Sequence, residues 1–479
     1  LSGPAYEALV RRAADANMNM LRVWGGGVYE ADQFYDACDR LGIMVWQEFA
    51  FACACYPDNL GWFIESVRRE AQDNVRRLRN HPSLVLWCGN NENHWGWHDW
   101  WNKPPVWGER IYHELLPSVC AELDPDRPYW PGSPYGGERP NSPQAGDQHF
   151  WDVWFNWLPA DHYRTQNGRF VSEFGMQAPP ALDTIREYIP AAQRHMQSRG
   201  MVHHNKCGLG TERLYRYLAE FFRIPARFED TVYLMQLVQG EVLKLGVEHW
   251  RARKFRTAGA LFWQLNDCWP VTSWSCVDSR LRPKALWYYA RRFFAPVLVA
   301  PGRGEAGMCT TIVSDLPERF QGMLVCGLSD VDGDRVWSAD IKVDVPANGV
   351  EQFVVRKQKD LQLKDPAREF FWCRLLRESE LVSANSLFFA PYRQVALPAV
   401  EWEVDVRQAG DRCFDVTLES NAFAKGTWLR LEGMEAEFED NYFDALASVP
   451  VTVRLRTPQD VPAEAVARRL LIRTVGDVQ

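Results

Sequence analysis

Three features that would mark particular classes of protein are missing from this chain of 479 residues. No apolar run approaches the roughly 20 residues that a membrane-spanning helix needs. The formal net charge is −8, so there is no excess of basic residues for binding nucleic acid or an anionic membrane. The chain also has no internal repeat and no low-complexity segment. We therefore expect neither a nucleic-acid partner nor a membrane partner.

Paired cysteines are missing as well. The twelve cysteines are scattered, and no two of them have C-x-x-C spacing. Cys53 and Cys55 lie two positions apart, but neither has a histidine at the spacing of a zinc site. We expect free, buried thiols, which favour a reducing compartment and hence the cytoplasm over the periplasm or secretion.

The sequence has no initiator methionine and no signal peptide. Leu1-Ser2-Gly3-Pro4 leads directly into a helical pattern. We therefore expect the chain to be part of a larger protein, and its compartment is not specified by a targeting segment.

What is present describes globular domains. Hydrophobic residues make up 46% of the chain and charged residues 24%, and the length exceeds that of one typical domain. Tryptophan is unusually frequent, with 22 residues. Its broad aromatic face suits large cores, and it also suits sites that stack on sugar rings.

A short apolar run, Leu84 to Cys88, is typical of a strand that is buried on both faces. Gly89 and two asparagines interrupt it, and Glu92 is the first charge that follows. A carboxyl directly after a buried parallel strand lies where α/β barrels carry their chemistry. Taken alone, such a glutamate is more often a residue of a surface loop.

The same order of helix, apolar strand and polar loop recurs up to about residue 300. It indicates βα units in a parallel sheet. We count about seven strands, of which the one near Gly146 to His149 is the weakest, and Gly259 to Gln264 is the last. The predicted fold class is α/β, a (β/α)8 TIM barrel over residues 1–300 that is incomplete at its N-terminus, because its first strand would precede Leu1.

The character of the sequence changes after Ala300. Apolar residues alternate with polar ones, as in Ile341, Val343 and Val345, and turns rich in Gly, Pro and Asp are frequent. This pattern predicts two antiparallel, immunoglobulin-like β-sandwich domains. We place them at residues 301–392 and 393–479, with Pro391 to Pro398 as the linker.

Two carboxylates, Glu92 and Glu173, follow the strands that we count as the fourth and seventh. In a closed barrel all strand ends meet at one mouth, so the two carboxyl groups can flank one bond. One of them has to stay protonated to donate to a leaving oxygen, and the other has to stay ionised. Together they favour a glycosidase over a structural role, although each alone is unspecific.

The motifs around these residues resemble those of the β-mannosidases of glycoside hydrolase family 2. They are Trp24-Gly25-Gly26-Gly27-Val28-Tyr29-Glu30, Trp46-Gln47-Glu48-Phe49, Gly89-Asn90-Asn91-Glu92, Ser172-Glu173-Phe174-Gly175, Trp263-Gln264-Leu265-Asn266-Asp267 and, in the last sandwich, Asp440-Asn441-Tyr442-Phe443-Asp444. Galactosidase and glucuronidase relatives usually have an Arg-Thr-Ser-His type of loop where this chain has Trp24 to Gly27. That difference favours mannose.

The resemblance implies a retaining exo-β-mannosidase that needs no metal or organic cofactor and acts on an oligosaccharide or glycoside. It gives Glu92 the role of acid/base, Glu173 that of nucleophile, and Asn91 that of a sugar-binding residue. Trp24 and Trp263 would line the pocket for the terminal mannose. Family 2 enzymes also use an acidic residue from an N-terminal sandwich that is absent here.

Other residues at the predicted barrel mouth have open roles. Trp100, Trp151 and His149 would face the sugar, or they would only pack their loops. Asn266 and Asp267 end the last strand, where Asp267 would contact substrate or only brace its loop. We interpret Glu48 as a brace behind the site.

Three alternatives stay open from the sequence. The enzyme could be an endo-β-mannosidase, or another family 2 β-glycosidase. From a different class, a non-catalytic carbohydrate-binding protein would keep the tryptophans but would not need both carboxylates. Nothing in the sequence specifies an oligomeric state.

Overall fold

The computed structural model describes residues 2–478. The chain forms two compact units, Leu1–Gly175 with Arg253–Asn266, and Met176–Ala252 with Asp267–Gln479. Each unit has its own elements. No helix in residues 2–478 combines the length and the apolar character that a bilayer crossing requires.

The first unit is built from parallel strands that alternate with helices. Its strands are β1 Met20–Val23, β2 Met44–Glu48, β3 Leu84–Cys88, β4 Tyr129–Trp130, β5 Gln148–Phe150 and β6 Val171–Phe174. Its helices are α1 Gly3–Asp15, α2 Asp32–Leu41, α3 Gly61–Leu78, α4 Asn93–Trp95, α5 Leu116–Leu123 and α6 Asp152–Phe155. Two π-helical turns, Gly96–Trp100 and Ile111–Leu115, and a 3-10 turn, Ala160–Thr165, complete it.

Strands β1 to β4 lie side by side in chain order and all run parallel, and β5 pairs in parallel with β6. Because successive parallel strands need a crossover, the helices of the first unit connect their ends. Helix α3 buries Val67, Ala71, Val75 and Leu78, the face that the sequence predicts. All strands therefore direct their carboxyl ends, and the loops that follow them, toward the same edge of their sheet.

The segment predicted as the last strand, Gly259 to Gln264, differs from the prediction. It follows β6 through backbone hydrogen bonds from Val171 N to Gly259 O (3.0 Å) and from Trp263 N to Phe174 O (2.8 Å). Only Ala260 pairs with Val171 as a bridge, so no continuous strand forms. A first barrel strand preceding Leu1 stays a prediction.

The second unit contains the remaining helices and both sandwiches. Its helices are α7 Leu182–Tyr188, α8 Arg199–His203, α9 Gly210–Phe221, α10 Phe228–Arg251, α11 Ala285–Phe293 and α12 Ala463–Arg469, with short 3-10 turns at Ala191–Gln193, Gln358–Asp360, Tyr392–Gln394 and Val475–Asp477. The first sandwich comprises β7 Val297–Gly304, β8 Gly307–Ser314, β9 Phe320–Asp330, β10 Arg335–Val345, β11 Val350–Lys357, β12 Glu369–Arg377 and β13 Glu380–Phe388. The second comprises β14 Trp402–Gly410, β15 Cys413–Ser420, β16 Ala424–Leu431, β17 Glu437–Phe438, β18 Phe443–Ala445, β19 Val451–Arg456 and β20 Leu470–Arg473.

Each sandwich pairs two antiparallel sheets over one apolar core. The sheet orders are β10-β9-β12-β13 and β11-β8-β7 in the first, and β14-β15-β19-β17 and β18-β16-β20 in the second. The alternation in β15, where Phe414, Val416 and Leu418 are buried, fills the second core. The predicted domain boundaries stay predictions; β7 begins at Val297, and no strand lies between Phe388 and Trp402 within the described residues.

Candidate active site

Glu92 follows β3 at the end of a tightly packed loop. A Cβ atom on Gly89 would lie 2.3 Å from the carbonyl oxygen of Pro131, so only glycine fits between the ends of β3 and β4. The backbone of Glu92 is left-handed, with φ of 62°, and its N–H donates to Ser133 O at 2.7 Å. This geometry turns the chain directly after β3 and fixes the Glu92 backbone.

Glu173 lies on β6 and is 5% exposed. Its Oε1 accepts from the guanidinium of Arg22 at 2.5 Å, and its Oε2 accepts from Nε1 of Trp151 at 3.0 Å. Both oxygens of the carboxyl group therefore accept a hydrogen bond from a fixed donor.

His149, on β5, contacts both carboxyl groups. Its Nδ1 lies 2.7 Å from Oε1 of Glu92 and 3.3 Å from Oε2 of Glu173. One oxygen from each carboxyl and this nitrogen lie within 4.8 Å of one another. The predicted pair of carboxylates therefore meets in space, with a single imidazole between them.

The same three side chains have the donor types and the spacing of a metal site, as do Asp36, Asp39 and His81 near α2. In the first group, the carboxyl of Glu173 is already engaged by a guanidinium and an indole. A cation would compete with those two donors for the same oxygens.

Arg22, on β1, is the charge that the motif analysis did not include. Its guanidinium donates to Glu48 at 2.7 Å and to Glu173 at 2.5 Å, and it also donates to Oδ1 of Asn91. Burial opposes its charge, but the carboxylates of Glu48 and Glu173 raise the pKa of Arg22 above its ordinary value. A lone arginine within the apolar strand Met20–Val23 was the signal that could have revealed it.

The buried environment shifts the pKa values of Glu92 and His149. Burial, and after it the nearby charge of Glu173, raise the pKa of Glu92 to about 8. Burial also lowers the pKa of His149 well below its ordinary value, and the charge of Arg22 acts in the same sense. Near neutral pH the site therefore holds a protonated Glu92 beside a neutral His149.

Glu48 braces the back of the site, as predicted. Its Oε1 accepts from Nε of Arg22 and its Oε2 accepts from the N–H of Gly25, both at 2.7 Å. It is buried and connects β2 to the loop after β1. The brace holds Arg22 in position for Glu173.

Aromatic side chains line one side of the same unit. Trp24 and Trp263 are half-buried and meet edge to face, with ring centroids 5.1 Å apart. Trp151 contacts Glu173 through its indole N–H. Trp100, on the π-helical turn after Glu92, is 45% exposed and packs against Trp95 at 4.9 Å between centroids. Of these rings, Trp151 contacts the carboxyl pair directly, and Trp100 packs on Trp95, whose ring centroid lies 6.4 Å from that of His149.

Asn91 and Cys53 contact the site from the β3 and β2 loops. Besides accepting from Arg22, Asn91 directs its Nδ2 to Sγ of Cys53 at 3.4 Å. That thiol also lies 3.4 Å from Oε2 of Glu92. The sequence predicts Cys53 only as a free, buried thiol; it is free but exposed, and nothing in its spacing marks this contact.

The two remaining predicted sugar-binding residues, Asn266 and Asp267, form hydrogen bonds with groups outside the carboxyl pair. The carbonyl of Asn266 accepts from Nε2 of Gln264 at 2.6 Å. Asp267 belongs to the second unit, where it accepts from Lys206 at 3.0 Å and from the hydroxyls of Ser273 and Ser275 at 2.6 and 2.5 Å. For Asp267 these bonds favour bracing of its loop. Its predicted contact with substrate, like that of Asn266, stays a prediction.

Three family models match successive parts of the chain. Residues 17–133 match the TIM barrel domain of the glycosyl hydrolases family 2, residues 310–394 match a mannosidase Ig/CBM-like domain, and residues 397–478 match an Ig-fold domain. A TIM-barrel domain is thus followed by two immunoglobulin-like domains, in the order that the sequence predicts.

Relatives with longer chains match most of this one. β-Mannosidase B of Thermothelomyces thermophilus is 44% identical over 330 residues, 62% of this chain and 38% of that protein. β-Mannosidase B of Aspergillus niger is 35% identical over 432 residues, 82% of this chain and 50% of that protein. The chain therefore spans half or less of the length of these relatives.

Solved structures extend the comparison to the whole fold. The β-D-mannosidase of Dictyoglomus thermophilum superposes with a TM-score of 0.93 and 42% identity, over 99% of this chain and 58% of that one. The exo-chitosanase of Amycolatopsis orientalis shares the fold with a TM-score of 0.77 at 16% identity. The likeness to the exo-chitosanase shows the fold alone, whereas the three family models and the β-mannosidases that are 35 to 44% identical show that the chain belongs to glycoside hydrolase family 2.

Proposed function

We propose that the protein containing this chain is a retaining exo-β-mannosidase, which removes terminal, non-reducing β-mannose from β-mannosides. The observation that carries the proposal is the pairing of the two carboxyl groups: one oxygen of Glu92 and one of Glu173 lie within 4.8 Å of each other, and Nδ1 of His149 lies 2.7 Å from the first group and 3.3 Å from the second. Retaining glycosidases hold their two carboxyl groups about 5–5.5 Å apart, whereas inverting enzymes leave room for a water.

In the first step, Glu173 attacks the anomeric carbon while Glu92 transfers its proton to the departing oxygen. The bond between sugar and aglycone breaks, and a covalent mannosyl ester forms on Glu173. Arg22 and Trp151 orient the carboxylate before attack. In the second step Glu92, now ionised, takes a proton from water, and the hydroxide equivalent displaces Glu173 with a second inversion.

Mannose is supported by the relatives rather than by the carboxyl pair. The β-mannosidases of T. thermophilus and D. thermophilum are 44% and 42% identical to this chain. In this proposal Trp24 and Trp263 form the wall of the sugar pocket, and Asn91 contacts the sugar. Part of the pocket comes from the sequence that the longer relatives have outside the matched span.

The full-length protein tests the proposal with 4-nitrophenyl β-mannoside, compared with the β-glucoside and the β-galactoside. We expect the mannoside to be cleaved with the highest kcat/KM and the first-formed product, followed by NMR, to be the β-anomer. The α-anomer as first product would contradict retention. Preference for another glycoside would favour a different family 2 activity, and release of an oligosaccharide from an internal bond would favour the endo-acting alternative.

The variant Glu173→Ala separates enzyme from binding protein. An enzyme loses turnover while still binding mannoside, and azide restores cleavage of an activated substrate by entering the vacated space. A carbohydrate-binding protein would show no turnover in the first place and unchanged affinity in the variant.

A further inference from the structure

Behind the carboxyl pair lies a buried aspartate that the proposed mechanism does not use. Asp147 is 3% exposed, and its Oδ2 accepts from the hydroxyls of Ser133 and Ser172 at 2.7 and 2.6 Å. Its Oδ1 accepts from Nε1 of Trp130 at 3.0 Å and from the N–H of Tyr135 at 2.9 Å. Both oxygens of this carboxyl group therefore act as acceptors toward its four donors.

Ser133 connects this carboxylate to His149. The hydroxyl of Ser133 has a single proton, and the charged Oδ2 of Asp147 is its nearest strong acceptor, since Ser172 Oγ is more distant at 3.3 Å. The oxygen of Ser133 is then free only to accept, and Nε2 of His149 lies 2.9 Å from it. Nε2 of His149 must therefore carry a proton.

The state of Nδ1 follows from the state of Nε2. His149 is 1% exposed and neutral, so a ring protonated at Nε2 presents a lone pair at Nδ1. That lone pair lies 2.7 Å from Oε1 of Glu92. Two lone pairs do not approach this closely without a proton between them, and the only group able to supply it is the Glu92 carboxyl.

We propose that Asp147 and Ser133 are positioning residues that fix His149 in its Nε2–H tautomer, so that Nδ1 accepts the proton of Glu92 and keeps Glu92 as the acid of the pair. This inference rests on the proposed function for the role of Glu92 as acid. It assigns a role to Ser133 and Asp147, which lie two and three contacts away from the carboxyl group of Glu92. The relay runs through Asp147, Ser133 and His149 to Glu92.

The relay also affects the second step. Once Glu92 has given up its proton, its carboxylate faces the lone pair of His149 Nδ1. Because that contact is repulsive, it favours return of a proton to Glu92, which is the transfer that activates water. The other charged or titratable groups that face Glu92 are Arg22, Glu48, Cys53 and Glu173. Of these, Glu173 also faces Nδ1 of His149 through its Oε2, at 3.3 Å, but that oxygen accepts from Nε1 of Trp151 at 3.0 Å and is more distant from Nδ1 than Oε1 of Glu92 at 2.7 Å.

Asp147→Asn tests the relay through the acid step. The introduced amide can donate to Ser133, whose hydroxyl proton then turns to Nε2 of His149. His149 becomes the Nδ1–H tautomer, donates to Glu92 and stabilises its ionised form. We expect the alkaline limb of the pH profile of kcat/KM to move to lower pH by about one unit or more. We also expect kcat/KM for phenyl β-mannoside to fall by about 10- to 100-fold.

The leaving group separates this effect from a general structural defect. Cleavage of 2,4-dinitrophenyl β-mannoside needs little help from an acid, so Asp147→Asn should retain its kcat/KM to within a few-fold. Ser133→Ala removes the hydroxyl and should show the same selectivity. Equal losses on both substrates, with the alkaline limb unmoved, would overturn the inference.

Asp278→Asn is the matched control. Asp278 is 1% exposed and also accepts four hydrogen bonds, from Thr184 Oγ1 at 2.6 Å and from three backbone N–H groups, but it lies outside the relay. Its variant should lose comparable stability and keep the alkaline limb in place. A shift of the limb in this variant as large as that in Asp147→Asn would show that the limb reports stability instead.

The tautomer can also be measured directly, without turnover. In the ¹⁵N-histidine-labelled full-length protein, ¹⁵N shifts distinguish Nε2–H from Nδ1–H, and His149→Gln identifies the signal among the ten histidines. We expect Nε2–H in the unmodified protein at pH 7 and Nδ1–H in Asp147→Asn. An Nδ1–H or doubly protonated ring in the unmodified protein would refute the relay. Failure to cleave any β-mannoside would refute the proposed function and leave this measurement valid.

Discussion

At the scale of single residues, the site contains two buried carboxyl groups that lie close together and differ in the groups that surround them. Glu173 has a guanidinium and an indole as donors, whereas Glu92 has a neutral imidazole and a thiol. The donors of Glu173 carry a positive charge and a strong N–H, whereas at Glu92 burial and the charge of Glu173 outweigh the weak stabilisation of negative charge by the Cys53 thiol and by Arg22. Two chemically identical side chains therefore take opposite roles because of what surrounds them.

This asymmetry predicts the pH dependence of the reaction. Glu92 must be protonated to act as acid, and burial raises its pKa to about 8. We therefore expect kcat/KM to fall as the pH rises, with the midpoint of this alkaline limb near pH 8. The stability of the fold is also expected to decrease as the pH rises. A carboxyl whose pKa is raised on folding contributes stability below its ordinary value of 4.5 that is lost as the pH rises through about 8.

The pH profile of kcat/KM measures the first effect, and Glu173→Gln provides its control. Removing the like charge should lower the pKa of Glu92, although burial keeps it above 4.5, as a ¹³C-NMR titration of labelled glutamate would show. A profile that is flat from pH 6 to pH 9.5 would contradict the assignment of Glu92 as acid.

Prediction from sequence brought together the two carboxyl groups at strand ends, and it identified Glu48 but no other residue that supports them. Glu92 and Glu173 could be paired because position along a βα repeat fixes the edge of the sheet that each faces. Ser133 and Asp147 lie in irregular loops, where the backbone follows no period, so no pattern brings them to His149. Their contacts depend on tertiary packing alone.

At the scale of elements, the site depends on how closely strand ends approach one another. Gly89 ends β3, and its Cα lies against the backbone of Pro131. A methyl group there would have to push β3 and β4 apart just before Glu92. The element boundary is therefore set by contact between backbones rather than by side-chain packing.

Gly89→Ala should accordingly destabilise the first unit by about 1–3 kcal/mol, because overpacking forces the backbone to shift. It should also lower kcat by displacing Glu92. Gly61→Ala is the matched control. No atom lies within 4 Å of the Cβ it would add at the start of α3, so it should be neutral or stabilise by up to about 1 kcal/mol.

Chemical denaturation of both variants measures the difference. If Gly89→Ala were as stable as Gly61→Ala, the close approach of β3 and β4 would not be a constraint on the site.

Several elements were predictable to the residue. Helix α2 spans Asp32–Leu41 and ends at Gly42, whose φ is 69°, and β3 spans Leu84–Cys88. In both, an apolar period ends at a glycine, so two local signals coincide. The segment Gly259 to Gln264 also reads as a strand, but it pairs only at Ala260, because pairing depends on neighbours that the local sequence does not specify.

At the scale of the whole molecule, the second unit joins helices and sandwiches through a buried charge cluster. Lys425, on β16, donates to Glu241 of α10 at 2.5 Å and to Asp444 at 3.0 Å. The hydroxyls of Tyr289 and Tyr392 donate to the same glutamate at 2.7 and 3.0 Å. The predicted sandwiches are thus tied to α10 by ions as well as by apolar packing.

Lys425→Met should destabilise the second unit by about 3–5 kcal/mol, because it leaves Glu241 buried without its counter-charge. Burial alone would raise the pKa of Glu241, but the ammonium of Lys425 lowers it to about 2. The stability that the pair provides is therefore present above pH 4.5 and is lost as the pH falls toward 2. In the variant this acid dependence should weaken, because Lys244 and the hydroxyl of Tyr289 still lower the pKa of Glu241.

Denaturation between pH 2 and pH 7 measures both effects. The double variant Lys425→Met/Glu241→Leu should recover much of the loss, because no unpaired charge remains. A single variant that loses less than about 1 kcal/mol would show that water reaches the cluster and screens it.

The left-handed backbone of Glu92 has a consequence for anyone who improves this protein by selection. A non-glycine residue in that conformation costs about 1–2 kcal/mol, and glycine or asparagine adopts it more easily. A screen that rewards only yield or heat resistance will therefore enrich glycine and asparagine at position 92. The glutamate persists only where the screen also demands turnover, so any library covering this loop needs an activity readout from its first round.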